Sequence, residues 1–353
     1  MYRTRGVVIG ITASLFYMNL IGDISDYRSC SIVGMEKNTG KTECLNYILR
    51  HLPDDKCVAL TSIGIDGEQQ DQVTRTPKPE ICLRPGMLFA TSETHYRQKR
   101  LSAEILKISD ESTSLGNVVI ARALTAGKVM LSGPATAAGL RRWMCEMQEW
   151  NVDFTLIDGA LSRKSSASPA VSESMVLATG AAYSADMRTL VQDTAFVAEL
   201  VHMPLAGERE LRLFENEERG IWLQDGDGTW RQLQVASSLQ LRSYPWVNTS
   251  DARCLYLSGA LTDSLMELLQ RESALKGVDL LVRDFTKVFV SPLKYRLFLG
   301  RGRKIRVLQS TRLAAICVNP TSPSGYMLNS ERLCAAISEA VQVPVYDLRK
   351  GGV

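Results

Sequence analysis

The sequence predicts an α/β protein, a doubly wound and mostly parallel sheet followed by a smaller C-terminal α/β part. Three observations predict it. Short apolar runs rich in β-branched residues alternate with amphipathic helical patterns from Ser31 to His202. One such run, Ser31-Ile32-Val33, leads through a loop from Gly34 to Thr42 into Cys44, Leu45, Ile48, Leu49 and Leu52, spaced as one helical face. Finally, 353 residues with 45% hydrophobic and 22% charged content suit two domains or one large one, and exclude a disordered or collagen-like chain.

Charge and cysteine usage narrow the function classes. Lys and Arg number 41 against 38 Asp and Glu, a formal net charge of +3, so overall electrostatics argue for neither nucleic acid nor an anionic membrane as partner. With three histidines (His51, His95 and His202), a multi-histidine metal centre is not expected. None of the eight cysteines forms a C-x-x-C pair, and most sit in apolar surroundings, as Cys44 does in ECLNYI and Cys317 in AAICV. Free buried thiols in a reducing cytoplasm are the expectation. At the N-terminus, Arg3 and Arg5 precede an apolar stretch from Gly6 to Phe16 that superficially resembles a signal peptide. No clear A-x-A site follows, and the run is too short for a membrane helix. Met18 is the expected start of translation, with residues 1–17 an extension, 18–204 a first domain that holds the loop described next, and 205–353 a C-terminal α/β domain.

The segment IVGMEKNTGKTECLNYIL carries the chemistry. Strand, glycine loop and helix in this order are what a phosphate loop requires. Gly40 lets the backbone approach phosphate, and the successive N–H groups of Asn38, Thr39 and Gly40 with the helix N-terminus bind the anion. Lys41 neutralises the β- and γ-phosphates, and the Thr42 hydroxyl ligates Mg²⁺. An ordinary Walker motif would place glycine at position 35, where this chain has Met35; the glycine here is Gly34, five residues before Gly40. That longer spacing resembles the dethiobiotin synthetase group, which opens its nucleotide site with G-T-x-x-x-x-G-K-T. Lys37 is a candidate second lysine on the phosphates, one residue short of the spacing seen in deviant Walker loops.

A second apolar strand, Asp153 to Ile157, ends in Asp158-Gly159-Ala160. A carboxylate at the C-terminal end of a strand beside the phosphate loop reaches the metal or its waters. The resemblance implies the same role for Asp158, with Asp where those relatives commonly show Glu. Val58 to Gly67 reads as a further strand and polar loop, in which Asp66, ahead of Asp71, is a candidate metal-side carboxylate. The Pro-, Lys- and Arg-rich stretch from Arg75 to Gln98 reads as plain connecting chain. Val129 to Pro134 reads as a strand with a Gly-Pro stop, Ala137 to Trp150 as a helix, Met175 to Ala178 as a strand, and Ser184 to Met203 as a helix that His202 caps.

Beyond Pro204 and Gly207 the texture changes. Asp225-Gly226 and Asp227-Gly228 within GIWLQDGDGTWRQLQV signal a hairpin whose Trp222 and Trp230 pack across strands. Arg301, Arg303, Lys304 and Arg306 form a basic cluster that reads as a solvated loop. The loop Val318 to Tyr326 ends a strand, where open α/β sheets bind ligands.

No N-K-x-D follows a strand, so the guanine-reading element of ordinary GTPases is missing and ATP with Mg²⁺ is the expected ligand. GMEKNTGKTE, IDGALSR, LATGAAYSADM and CVNPTSPSGY together resemble the family of P-loop subunits of lysine 5,6-aminomutase reactivase, from about Met18 to the C-terminus. The resemblance implies a P-loop NTPase-type fold and an ATP-dependent, chaperone-like factor. Such a factor exchanges damaged for intact cobalamin in an adenosylcobalamin-dependent lysine 5,6-aminomutase, together with a second reactivase subunit. Two other readings stand beside it. One is a dethiobiotin-synthetase-like ligase or kinase acting on a small carboxylate, with Lys37 or Arg163 over the γ-phosphate. The other is a nucleotide-binding scaffold subunit without hydrolysis.

Overall fold

The computed structural model describes residues 19–347 and 349, apart from 64–79, 161–171, 216, 218, 236, 247–250, 273–274 and 348. The expectations for residues 1–17, Asp66, Asp71 and Arg163 lie outside these residues.

The chain opens with α1 (Asn19–Ser25), β1 (Ser29–Gly34), α2 (Lys41–His51) and β2 (Val58–Ser62). It continues through β3 (Ile81–Leu83), β4 (Leu88–Ser92), α3 (Glu93–Gln98), β5 (Ala103–Thr113), β6 (Gly116–Ala123) and β7 (Gly127–Val129). Then come α4 (Ala137–Glu149), β8 (Phe154–Ala160), β9 (Ser174–Gly180), α5 (Met187–Val201) and α6 (Glu208–Leu213). β10 (Ile221–Gln224), β11 (Trp230–Gln232), β12 (Cys254–Leu257), β13 (Leu261–Thr262), α7 (Asp263–Arg271), β14 (Asp279–Val282), β15 (Val288–Phe289), α8 (Pro292–Leu299) and β16 (Ile305–Val307) follow. The last elements are β17 (Arg312–Asn319), α9 (Ser330–Val341) and β18 (Val345–Asp347).

Two units result. The first holds the described residues up to 160, those of 174–194, and those from 313 onward. Its sheet has the order β18-β17-β9-β1-β8-β2-β4-β6-β5. β9, β1, β8, β2 and β4 run parallel in turn, as do β17 and β18, while β6 and β5 add an antiparallel edge. The protein is therefore α/β with a large mixed sheet of mostly parallel strands. β1 sits centrally, and all six of its residues are buried, as a strand covered on both faces requires. α2 forms because Cys44, Leu45, Ile48 and Leu49 recur on one face; they bury against Cys30, Ile32, Leu60 and Leu156 in the main core. α4 starts where the Thr136 hydroxyl accepts from the Gly139 N–H at 3.0 Å.

Three differences from the sequence reading have physical causes. The strand expected at Val129 to Pro134 is only the end of β7, which pairs antiparallel with β3 outside the large sheet. Residues 130–133 instead cross the end of β2: Ser62 donates to Leu131 O at 3.2 Å and Thr91 to Met130 O at 2.7 Å. A Cβ on Gly133 would stand 2.1 Å from Ser62 O, so only glycine permits the crossing. Second, the stretch read as connecting chain contains β4, whose five residues are all buried. Third, residues 205–353 are not one part. β17 is buried from Leu313 to Val318 and, with β18, returns to the large sheet; a continuous apolar run of this kind suits a strand covered on both faces.

The second unit holds residues 172–173 and the described residues of 195–312. Its sheet, β11-β10-β12-β14-β16, is parallel across β12, β14 and β16 and antiparallel at β10 and β11. The expected hairpin closes with Asp225 N–H on Thr229 O at 2.9 Å and Gly228 at φ 85°. Trp222 and Trp230 pack edge-on against Phe214, at ring-centre distances of 5.7 and 5.0 Å, in the unit's core. The basic cluster is half internal. Arg306 makes a bidentate pair with Glu210 at 2.6 and 2.8 Å, and Arg303 is buried over the Phe298 ring; Arg301 and Lys304 are exposed. Among the described residues no helix is long and apolar enough to cross a membrane.

A chain ended after Arg312 removes β17 and β18 and bares one edge of β9. We expect it to lose cooperative thermal unfolding and to bind a hydrophobic dye such as ANS. A sharp transition at the wild-type temperature would contradict this topology.

Candidate functional site

The first unit's central strand delivers the candidate site. β1 ends at Gly34, and a Cβ there would meet Thr39 Oγ1 at 3.0 Å and Glu36 O at 3.2 Å, so the loop folds directly over this position. Met35 stands where an ordinary Walker motif has glycine. It is buried, donates its N–H to Ala178 O on β9 at 3.0 Å, and receives the Thr194 hydroxyl on its sulfur at 3.4 Å. The loop then closes on itself. Thr39, 1% exposed, donates its hydroxyl to Glu36 O at 2.9 Å, and the Lys37 N–H bonds the Glu36 carboxylate at 2.9 Å.

Two residues turn the backbone through the left-handed region, Asn38 at φ 62° and Gly40 at φ 91°. Asparagine and glycine are the residues that tolerate this conformation. α2 follows at once. Its first intrahelical bond runs from Cys44 N–H to Gly40 O at 2.9 Å, so the N–H groups of Lys41, Thr42 and Glu43 have no acceptor within the helix. They face the loop end with the positive end of the helix dipole, which suits an anion.

The charged pair sits beside this cradle. Lys41 Nζ lies 3.0 Å from Asp158 Oδ1, with the side chains 23% and 20% exposed. Asp158 is placed by register: it pairs with Ile32 on β1 and Ser62 on β2, between two parallel neighbours. The contact is ionic, since Asp158 Oδ1 has no aligned hydrogen bond. One lysine and one carboxylate thus stand together at the end of the central strands, Lys41 from the helix start and Asp158 from β8.

The loops after β9 and β17 complete the rim. Gly180 ends β9, and a Cβ there would stand 2.0 Å from Asn319 O, so the backbones at the ends of β9 and β17 touch. Ala181 N–H donates to Asn319 O at 2.9 Å, and the Tyr326 hydroxyl donates to Ala181 O. Tyr183 donates to Asp193 at 2.9 Å; burial first, then this bond and the charges of Asp193 and Glu36, push its phenol up to about 12, so it remains a neutral donor. Behind the loop, Cys44 on α2 and Cys317 on β17 place their sulfurs 3.3 Å apart in the core. The Cys317 partner and burial both raise the Cys44 thiol well above its usual range, which makes it a packing group and not a nucleophile.

The structure therefore joins Lys41 to Asp158 and sets Asn38, Thr39 and Gly40 in the turn between Gly34 and α2; Thr42 lies in the first turn of α2, Lys37 is exposed in the loop with its N–H on Glu36, and Asp66 lies outside the described residues. Sequence reasoning missed Gly180 and the individual role of Asn319. The signals were a Gly-Ala after one strand and an Asn-Pro after another. Among the described residues no cluster of three or more His, Cys, Asp and Glu could hold a metal alone. The Thr42 hydroxyl and the Asp158 carboxylate fit Mg²⁺, which commonly takes one or two carboxylates and completes its shell with phosphate oxygens and water. Comparison with family models, with curated proteins and with solved structures gives no match.

Gly40→Ala tests the local geometry. The new Cβ would meet Asn319 Cβ at 3.1 Å and force a side chain into the left-handed region. We expect a stability loss of about 1–2 kcal/mol in urea unfolding. An unchanged midpoint would refute the left-handed turn.

Proposed function

We propose that the chain is a P-loop nucleotide-binding protein that takes MgATP at Gly34–Thr42. The observation that carries this reading is the ion pair of Lys41 with Asp158 beside a helix N-terminus, at the end of a buried central strand. The helix-start N–H groups and Lys41 hold the phosphates, and Thr42 and Asp158 would hold the metal. Bound Mg²⁺ supplies charge neutralisation on the β- and γ-phosphates. Lys41 is ion-paired with Asp158. Phosphate must therefore draw Lys41 away from that carboxylate, and Asp158 becomes available as a metal ligand as it does so.

The finer proposal is an ATP-driven reactivating factor for an adenosylcobalamin-dependent lysine 5,6-aminomutase, acting with a second reactivase subunit in the cytoplasm. It is supported by the likeness of the four quoted segments, two of which, TGAAYSADM and VNPTSPSGY, supply the rim around the phosphate loop. ATP drives such an exchange only if the triphosphate and diphosphate states differ in contacts, and a γ-phosphate read by Lys41 supplies that difference.

Calorimetric titration tests the nucleotide reading. Wild type should bind MgATP, and Lys41→Ala should weaken binding about 10- to 100-fold, the loss of one charge-assisted contact. Asp158→Asn should abolish the gain in affinity that Mg²⁺ provides, while ATP in EDTA binds at least as tightly as to wild type because Lys41 is released. Wild type with no MgATP affinity tighter than about 1 mM would end the proposal. The finer reading fails if inactivated aminomutase, given this protein, its partner subunit, ATP and fresh coenzyme, recovers no activity.

A further inference from the structure

Asn319 ends β17, far along the chain from the phosphate loop, yet its side chain reaches that loop. Its Nδ2 donates to Asn38 O at 3.3 Å, on one of the two left-handed residues. The space beside the other, Gly40, is filled by the same side chain, with Asn319 Cβ 3.1 Å and Cγ and Nδ2 3.7 Å from where a Cβ would stand. Its Oδ1 accepts from Thr321 N–H at 3.2 Å, which fixes the amide orientation so that Nδ2 points at the loop. Its backbone O accepts from Ala181 N–H at 2.9 Å, which fixes the main chain. Asparagine meets all these demands at once: a donor for Asn38, an acceptor for Thr321 and a size that fits against Gly40.

We propose that Asn319 is a positioning residue of the phosphate loop, holding Asn38 and Gly40 in the left-handed conformations that aim the loop N–H groups at phosphate. This rests on the nucleotide reading above. It assigns β17 a part in anion binding that the Gly34–Thr42 motif does not reveal. The role concerns the phosphates and not the base, so its signature is a loss that does not depend on a base being present.

The test titrates wild type, Asn319→Ala and Asn319→Asp with MgATP and with magnesium tripolyphosphate, which has phosphates and no base. Asn319→Ala should weaken the two ligands alike, about tenfold, as expected for one lost hydrogen bond and a loosened loop, and Asn319→Asp should weaken both at least as much, since its carboxylate also repels the phosphates. Asn319→Asp keeps the shape against Gly40 and the acceptor for Thr321, loses the donor to Asn38 and adds a negative charge, whereas Asn319→Ala also empties the space beside Gly40. Loss of MgATP affinity with tripolyphosphate affinity retained would overturn the proposal in favour of base contact, and unchanged affinity for both would overturn it outright. A fold-independent arm uses wild type alone. Hydrogen exchange with and without tripolyphosphate should show protection at residues 319–321 along with 36–42, and protection confined to 36–42 would also overturn it. Failure of wild type to bind either ligand would instead fail the nucleotide reading.

Discussion

Between Gly34 and Lys41 the chain leaves a fully buried strand and enters a helix whose inner face is equally buried, through Asn38 and Gly40, both left-handed. Much of the first unit is arranged around that turn. Gly34 has no room for a side chain because the loop folds over it, and Gly40 has none because Asn319 occupies the space. Met35 anchors one side of the loop to β9, and Asn319 anchors the other to β17. A loop held from two neighbouring strands costs little entropy when it binds an anion, because its backbone is already ordered.

The same turn decides the electrostatics. It places Lys41 in the first turn of α2, where the helix dipole disfavours a cation. Asp158 offsets that cost from β8, and neither side chain is more than a quarter exposed. Removing one partner of a half-buried pair leaves the other charged and poorly solvated, so either single substitution costs more than the contact itself. An incoming polyphosphate competes with one carboxylate but brings several negative oxygens, and the N–H groups at the helix start have no intrahelical acceptor to give up. On the nucleotide reading, the pair therefore holds Lys41 in place without blocking the site against a multiply charged anion.

Strand, loop and helix from Ser29 to His51 were legible because their signals are local: β-branched residues, a glycine loop and apolar residues at helical spacing. The Asp158 strand was legible for the same reason, and the Asp225–Gly228 hairpin through its turn residues. β4 was hidden because LFATS is short, of mixed polarity and embedded in Pro- and Arg-rich chain, so its burial comes from its neighbours and not from its pattern. The β5–β6 edge escaped because none of the eleven residues of β5 is buried, so it has no apolar face to announce it. The return of β17 and the role of Asn319 were illegible in principle. The bond from Asn319 to Asn38 spans 281 positions, and nothing in either local segment encodes a contact at that separation.

That return also explains how two folded units share one chain. Residues 195–312 are an insertion between β9 and β17, strands that are neighbours in the large sheet. Without the insertion, the end of β9 and the start of β17 would belong to an ordinary strand-helix-strand crossover. The inserted unit carries its own sheet and its own aromatic core around Phe214 and Tyr256, so it need not borrow stability from the sheet it interrupts. It also uses two of the four charges in its basic cluster internally, Arg306 on Glu210 and Arg303 over Phe298. A cation committed to a buried carboxylate or laid over an aromatic ring cannot also neutralise a phosphate backbone. Those two cations are therefore committed within the inserted unit, and on the nucleotide reading the phosphates would be held at Gly34–Thr42 by backbone N–H groups and a single lysine.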